Sequence, residues 1–157
     1  MNKGFTLIEV IISVAVLSLV SVSAMSAVSL NLSSAVRIKD NLIAASIAQE
    51  GLEIVRNIRD NDRHSGAAFG SSLANGDYLA EWNSVSLLSF QNVFLKKDSN
   101  GFYNYSSGQD TIFKRKITIE DSLQNGPTIE KVAKVEVSWT EKSGPKTIQA
   151  ELRLFDW

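Results

Sequence analysis

Between Phe5 and Leu30 the chain carries a single ionisable side chain, Glu9, and neither proline nor glycine. At about 1.5 Å per residue a helix over that stretch is roughly 39 Å long, enough to cross a ~30 Å hydrocarbon layer with some tilt. The run constrains everything after it, because a segment of this kind crosses a bilayer once and leaves the rest of the chain to fold outside. A lone carboxylate in such a span costs roughly 2.5 to 3.5 kcal/mol at the helix centre and less near an end, so Glu9 points to a function and not to stability. Ser13, Ser18, Ser21, Ser23, Ser26 and Ser29 punctuate the run, and small residues let helices approach closely. Two blander readings are a plain anchor, with Glu9 reaching for the interface, and a secretory signal. The latter has an apolar core of only about 7 to 15 residues with a small-residue cleavage site behind it.

The residues at the head of the run are Lys3-Gly4-Phe5-Thr6-Leu7-Ile8-Glu9-Val10. Gly4 lacks a Cβ, which suits a scissile position lying extended in a narrow cleft, and Lys3 holds the N-terminus on the cytoplasmic side. This polar leader, glycine, phenylalanine and glutamate resembles the cleavage and methylation signature of type IV prepilins and pseudopilins. The resemblance implies that a prepilin peptidase/N-methyltransferase cuts between Gly4 and Phe5 and methylates the new Phe5 amine. It also implies that Glu9 serves filament assembly. The partners implied are that enzyme, other pilin or pseudopilin subunits through helix packing, and an inner-membrane assembly platform. The location implied is a single-pass inner-membrane precursor with a cytoplasmic N-terminus and an extracytoplasmic head, then a pilus or pseudopilus.

Residues 1–4 are thus expected to form a leader, 5–30 a transmembrane helix, 31–62 its amphipathic continuation and 63–157 the head. The continuation predicts one helix of roughly 55 residues, near 80 Å long. At about 100° per residue Lys39, Ser46, Gln49, Glu50, Glu53, Asn57 and Asp60 fall in a polar strip roughly 100° wide. The rest, from Val36 to Ile58, is mostly apolar, about twice the usual stripe. Either two faces are buried, one by the head and one by neighbouring subunits, or loops of the same chain cover the second.

The segment from Ala48 to Asp60 resembles the helix end of a minor-pilin subgroup of modification-protein or pseudopilin-I type. Gly51 costs about 1 kcal/mol relative to alanine in a helix, which marks a close contact or a bend. Glu50, Glu53, Arg56 and Arg59 form either a solvated charged face or a contact surface for another subunit. Helix-spaced pairs among them contribute only a few tenths of a kcal/mol.

Beyond Arg63 a Gly, Ala and Ser-rich loop is followed by an apolar stretch from Tyr78 to Leu95, and Asn75-Gly76, Asn100-Gly101 and Asn125-Gly126 read as turns. Period-two alternation predicts strands over Phe102 to Tyr105, Thr111 to Ile119, Ala133 to Trp139 and Ile148 to Leu154, the last two as a hairpin around Ser143-Gly144-Pro145. Phe155 and Trp157 fall on the nominally polar face, which predicts a bulge or a wrap onto the helix. The fold class is α+β: a long N-terminal helix packed on a small C-terminal antiparallel sheet, which is also the pilin architecture.

Catalytic chemistry finds little material. There is no cysteine and a single histidine, His64, so a nucleophile-base pair has one candidate at most. Asp60, Asp62 and His64, and Asp98-Ser99-Asn100-Gly101, lack the later carboxylate of a full calcium loop and read as helix capping and turn formation. No metal and no cofactor is expected, and the chain reads as a structural subunit and not an enzyme. Lys and Arg number 16 against 17 Asp and Glu, a balance that does not select a polyanion. Lys96, Lys97, Lys114, Arg115 and Lys116 near Phe102, Tyr103 and Tyr105 are the one basic-aromatic combination, and they read as a solvated sheet edge and not a nucleic-acid site.

Overall fold

The computed structural model describes Gly4, residues 6–122 and residues 130–156. One helix, α1, runs from Leu7 to His64. It opens on Thr6, whose hydroxyl accepts the Glu9 N–H at 3.3 Å, an N-cap arrangement that satisfies one of the orphan amides of the first turn. Downstream, the hydroxyls of Ser13, Ser18, Ser21, Ser23, Ser26, Ser33 and Ser34 each donate to the carbonyl four residues back, at 2.7 to 3.0 Å. That bond hides the hydroxyl inside the helix, which makes serine tolerable in a lipid-facing run. The helix ends where Gly66 adopts φ 74° and the Ala67 N–H folds back to the Asp62 carbonyl at 2.9 Å.

The chain divides into two compact units, residues 1–40 and 41–157. The first is the N-terminal part of α1. Its apolar side chains are exposed, Leu17 at 66% and Leu30 at 70%, and it includes a window long and apolar enough to cross a membrane. The second combines the last part of α1 with two antiparallel sheets. Strands β1 (Gly76–Leu79), β2 (Leu88–Ser89), β6 (Lys114–Asp121), β7 (Glu130–Glu141) and β8 (Gly144–Phe155) form a sheet of order β2-β1-β6-β7-β8. A smaller sheet of order β4-β3-β5 joins β3 (Lys96–Lys97), β4 (Tyr103–Asn104) and β5 (Gln109–Asp110). This is the expected α+β, pilin-like arrangement.

The core forms where the helical and strand periods meet. Ala44, Ile47, Ala48, Gly51, Val55 and Ile58 recur at spacings of three and four on one face of α1. Ile117 and Ile119 of β6, Ala133, Val135, Val137 and Trp139 of β7 and Leu154 of β8 complete the same buried cluster. Gly51 is a close contact and not a bend: a Cβ there would lie 2.9 Å from Val135 Cγ1 and 3.3 Å from Arg115 Cδ.

Several expectations change in detail. The β7–β8 hairpin runs without a break from Glu141↔Gly144 to Glu130↔Phe155, so the predicted bulge at Phe155 does not occur; Trp157 and the turn Asn125-Gly126 lie outside the described residues. The strand expected from Thr111 begins at Lys114, because Thr111 spends both its amide and its hydroxyl on the Leu95 carbonyl. Alternation gave no sign of β1, β2, β3 or β5, which are too short to show a period. In the second unit the wide apolar surface of α1 is largely covered by the chain itself: Ile43 and Leu52 pack at the margin of the core, and Leu42 stays 67% exposed.

Candidate processing and assembly site

Gly4 precedes the helix and is exposed. A Cβ built on it meets nothing within 4 Å. Packing against the described residues therefore does not require glycine at that position. Phe5 lies outside the described residues. The Thr6 cap and the first turn of α1 both follow the Gly4-Phe5 bond, so its scission leaves the helix start untouched.

Glu9 sits in the first turn of α1, where a carboxylate is favoured by the helix dipole, by about 0.3 to 1 kcal/mol. Its side chain is exposed, and among the described residues no cation pairs with it. Thr6 and Glu9 have the spacing of a capping box, a pattern that a linear sequence carries.

The structure separates the four charges Glu50, Glu53, Arg56 and Arg59. Glu53 is exposed and bonded to Arg56 within the helix. Glu50 instead turns inward to Arg115, whose Nη1 donates to Glu50 Oε1 at 2.9 Å. Arg59 is buried at 7% exposure and bonds Asp60. The four do not share one solvated face: Arg59 is buried, and Glu50, partly exposed, is bonded across to β6.

Arg115 corrects the reading of the basic-aromatic segment. It is fully buried on β6, with Nη1 donating also to the Ile47 carbonyl at 3.1 Å and Nη2 to the Ala80 carbonyl. Inward-facing arginine between Phe113 and Ile117 was visible in the alternation, but its partners come from residues far away in sequence. The other four cations are divided: Lys96 and Lys97 on the small sheet, Lys114 and Lys116 on the large one. Lys114 Nζ lies 4.5 Å from the Phe94 ring centre and bonds Asn92. Beside Arg115, the Tyr105 hydroxyl is buried without a hydrogen-bond partner, and burial raises its pKa above 10.0.

The residues read as capping or turn-forming have such contacts. Both Asp62 carboxylate oxygens accept from Ser72, at 3.0 Å from the amide and 2.7 Å from the hydroxyl. Asp98 Oδ1 accepts the amides of Asn100 and Phe102 at 2.8 and 2.9 Å.

Comparison with known proteins locates one match. Residues 1–25 match the family model described as the prokaryotic N-terminal methylation motif. No curated protein and no solved structure matches the chain. The match covers the glycine that packing against the described residues does not require and the glutamate that no described residue pairs, and it heads a long apolar helix followed by an antiparallel head. The motif implies processing by prepilin peptidase and association with the membrane. Over those 25 residues the chain carries the motif that indicates a type IV pilin-like prepilin.

Proposed function

We propose that this chain is a minor pilin: a non-enzymatic filament subunit that is cut between Gly4 and Phe5, methylated on the Phe5 amine and drawn from the inner membrane into a type IV pilus. The observation that carries the reading is the Glu9 carboxylate, held in an apolar helix with no partner among the described residues. A charge in that setting gains most from a cation supplied by another molecule. Cleavage creates such a cation, the Phe5 amine, and a neighbouring subunit presents it within the low dielectric of packed helices. The pair would set the axial register of the incoming subunit. The anchor keeps its N-terminus cytoplasmic through Lys3 and holds the head on the other side until assembly. A type II secretion or competence pseudopilin uses the same chemistry and is the alternative within the class.

The test is mass spectrometry of the native N-terminus together with blots of sheared filaments. The expected result is a chain beginning at methylated Phe5 and present in filaments. Retention of Met1 in cells with an active prepilin peptidase refutes the processing step. A processed chain that never leaves the membrane fraction points instead to an anchored binding domain that does not polymerise.

A further inference from the structure

Asparagine precedes glycine at Asn75-Gly76, Asn100-Gly101 and Asn125-Gly126. In each pair the glycine has no Cβ to shield its amide nitrogen from the asparagine side chain, so the sequence ranks the pairs equally as sites of spontaneous deamidation. The third lies outside the described residues. Asn75 and Asn100 are both exposed, and access to water does not separate them. Their contacts do.

The Asn75 carboxamide is held at both ends. Its Nδ2 donates to Asp121 Oδ2 at 2.7 Å, and its Oδ1 accepts from Lys131 Nζ at 3.3 Å. Asp121 and Lys131 are themselves joined at 2.7 Å, as register partners of β6 and β7. Gly76 stands opposite Ile119 in the same sheet. Neither reacting group can turn toward the other without breaking these contacts. Asn100 differs in each respect. Among the described residues its side chain bonds nothing, and its backbone belongs to a turn and not to a strand. There Asp98 Oδ1 accepts the Asn100 and Phe102 amides at 2.8 and 2.9 Å, and the Gly101 N–H donates to the Asp98 carbonyl at 3.1 Å. Freeing the Gly101 nitrogen takes one bond at a loop tip, a far smaller opening than one within the sheet.

We propose that Asn100 is a self-modifying site of the head, converted to aspartate and isoaspartate while Asn75 is preserved. The Gly101 nitrogen gives its proton to water or hydroxide and attacks Asn100 Cγ. The new C–N bond closes a cyclic imide, and the side-chain nitrogen leaves as ammonia. Water then opens the imide: addition at Cγ gives aspartate, and addition at the main-chain carbonyl gives isoaspartate, with an extra methylene in the backbone. Either product adds a carboxylate to the turn that Asp98 organises. Isoaspartate also displaces Phe102 from the position in which its ring stacks on Trp82, centres 4.5 Å apart.

Trypsin separates the candidates, because Lys97 and Lys114 bracket Asn100 whereas Arg63 and Lys96 bracket Asn75. Full-length protein in detergent is held in mildly alkaline buffer, and the deamidated and isoaspartyl forms of each peptide are followed over weeks by liquid chromatography and mass spectrometry. Asn100 should convert at least tenfold faster than Asn75 in the folded chain, and the two should agree within about threefold in urea. Asp121→Ala releases Asn75 Nδ2 and should raise the Asn75 rate at least threefold, while an unchanged Asn100 rate reports that the rest of the head is intact. Equal rates in the folded chain, an Asn100 that persists there while the unfolded chain converts, or a difference that survives in urea overturns the inference. So does an Asn75 rate indifferent to Asp121→Ala.

Discussion

Arg115 reaches from β6 to Glu50 of α1, Nη1 to Oε1 at 2.9 Å, with the arginine side chain fully buried and the glutamate 30% exposed. The same guanidinium holds the Ile47 and Ala80 carbonyls. It thus joins the helix, the sheet and the segment after β1 at one point in the core. Removing the arginine takes three hydrogen bonds and leaves a cavity among packed residues. Arg115→Ala is expected to cost about 3 to 5 kcal/mol and Glu50→Ala about 1 to 3 kcal/mol, because the second change leaves the guanidinium its two carbonyl acceptors. Urea denaturation of a chain beginning at Asn31 measures both. That chain should be soluble and folded, since the compact head unit begins at Asn41; equal losses for the two variants would remove the central role given to Arg115.

Gly51→Ala sets two effects against each other. Helix propensity favours alanine by about 1 kcal/mol, but the new methyl would stand 2.9 Å from Val135 Cγ1 and 3.2 Å from Cγ2. Overpacking in a closed core costs about 1 to 3 kcal/mol, so a net loss of about 1 kcal/mol is expected. A gain in midpoint would show that α1 can lift from β7 at no cost.

Tyr105→Phe removes a buried hydroxyl that has no partner. At neutral pH the variant should be as stable as the parent or slightly more so, by up to about 1 kcal/mol. Alkaline behaviour separates them further. The folded-state pKa of Tyr105 is raised by burial above its ordinary 10.0, so the folded form holds its proton more tightly than the unfolded one. That stability is complete below pH 10 and is lost as pH rises through the folded pKa. Melting curves from pH 8 to strongly alkaline conditions should fall more steeply for the parent than for Tyr105→Phe.

Gly4→Val leaves the fold unchanged, because the space around that Cβ is open. Its effect should appear solely in processing, as accumulation of uncut precursor with the head still resistant to protease. Normal maturation of this variant on immunoblots counts against a scissile bond after Gly4.

Glu9→Leu makes the span more favourable in lipid, so stability alone predicts a gain. Membrane insertion, cleavage and head folding should all be normal, and the amount of chain in sheared filaments should fall at least tenfold. Parental levels in filaments would show that an unpaired carboxylate at this position is a helix-dipole feature and nothing more.

Much of the fold is legible in the sequence, and the particular elements show why. The span, the length of α1, the inward alternation of Ala133, Val135 and Val137, and the β7–β8 hairpin all follow from periods that a linear pattern carries. The glycine and glutamate of the N-terminal site were likewise readable, since their chemistry is local to the first turn of the helix. Tertiary structure decided the rest. Whether Glu50 faces water or Arg115 depends on where β6 lies across α1, 65 residues away in sequence, and no period encodes that distance. The same holds for Gly51, whose need is set by Val135, and for the place of β8 at the end of the sheet order, which is set by how the described strands pair. Local backbone preferences are written residue by residue, whereas burial, pairing and strand order arise from contacts between segments that the chain brings together only on folding.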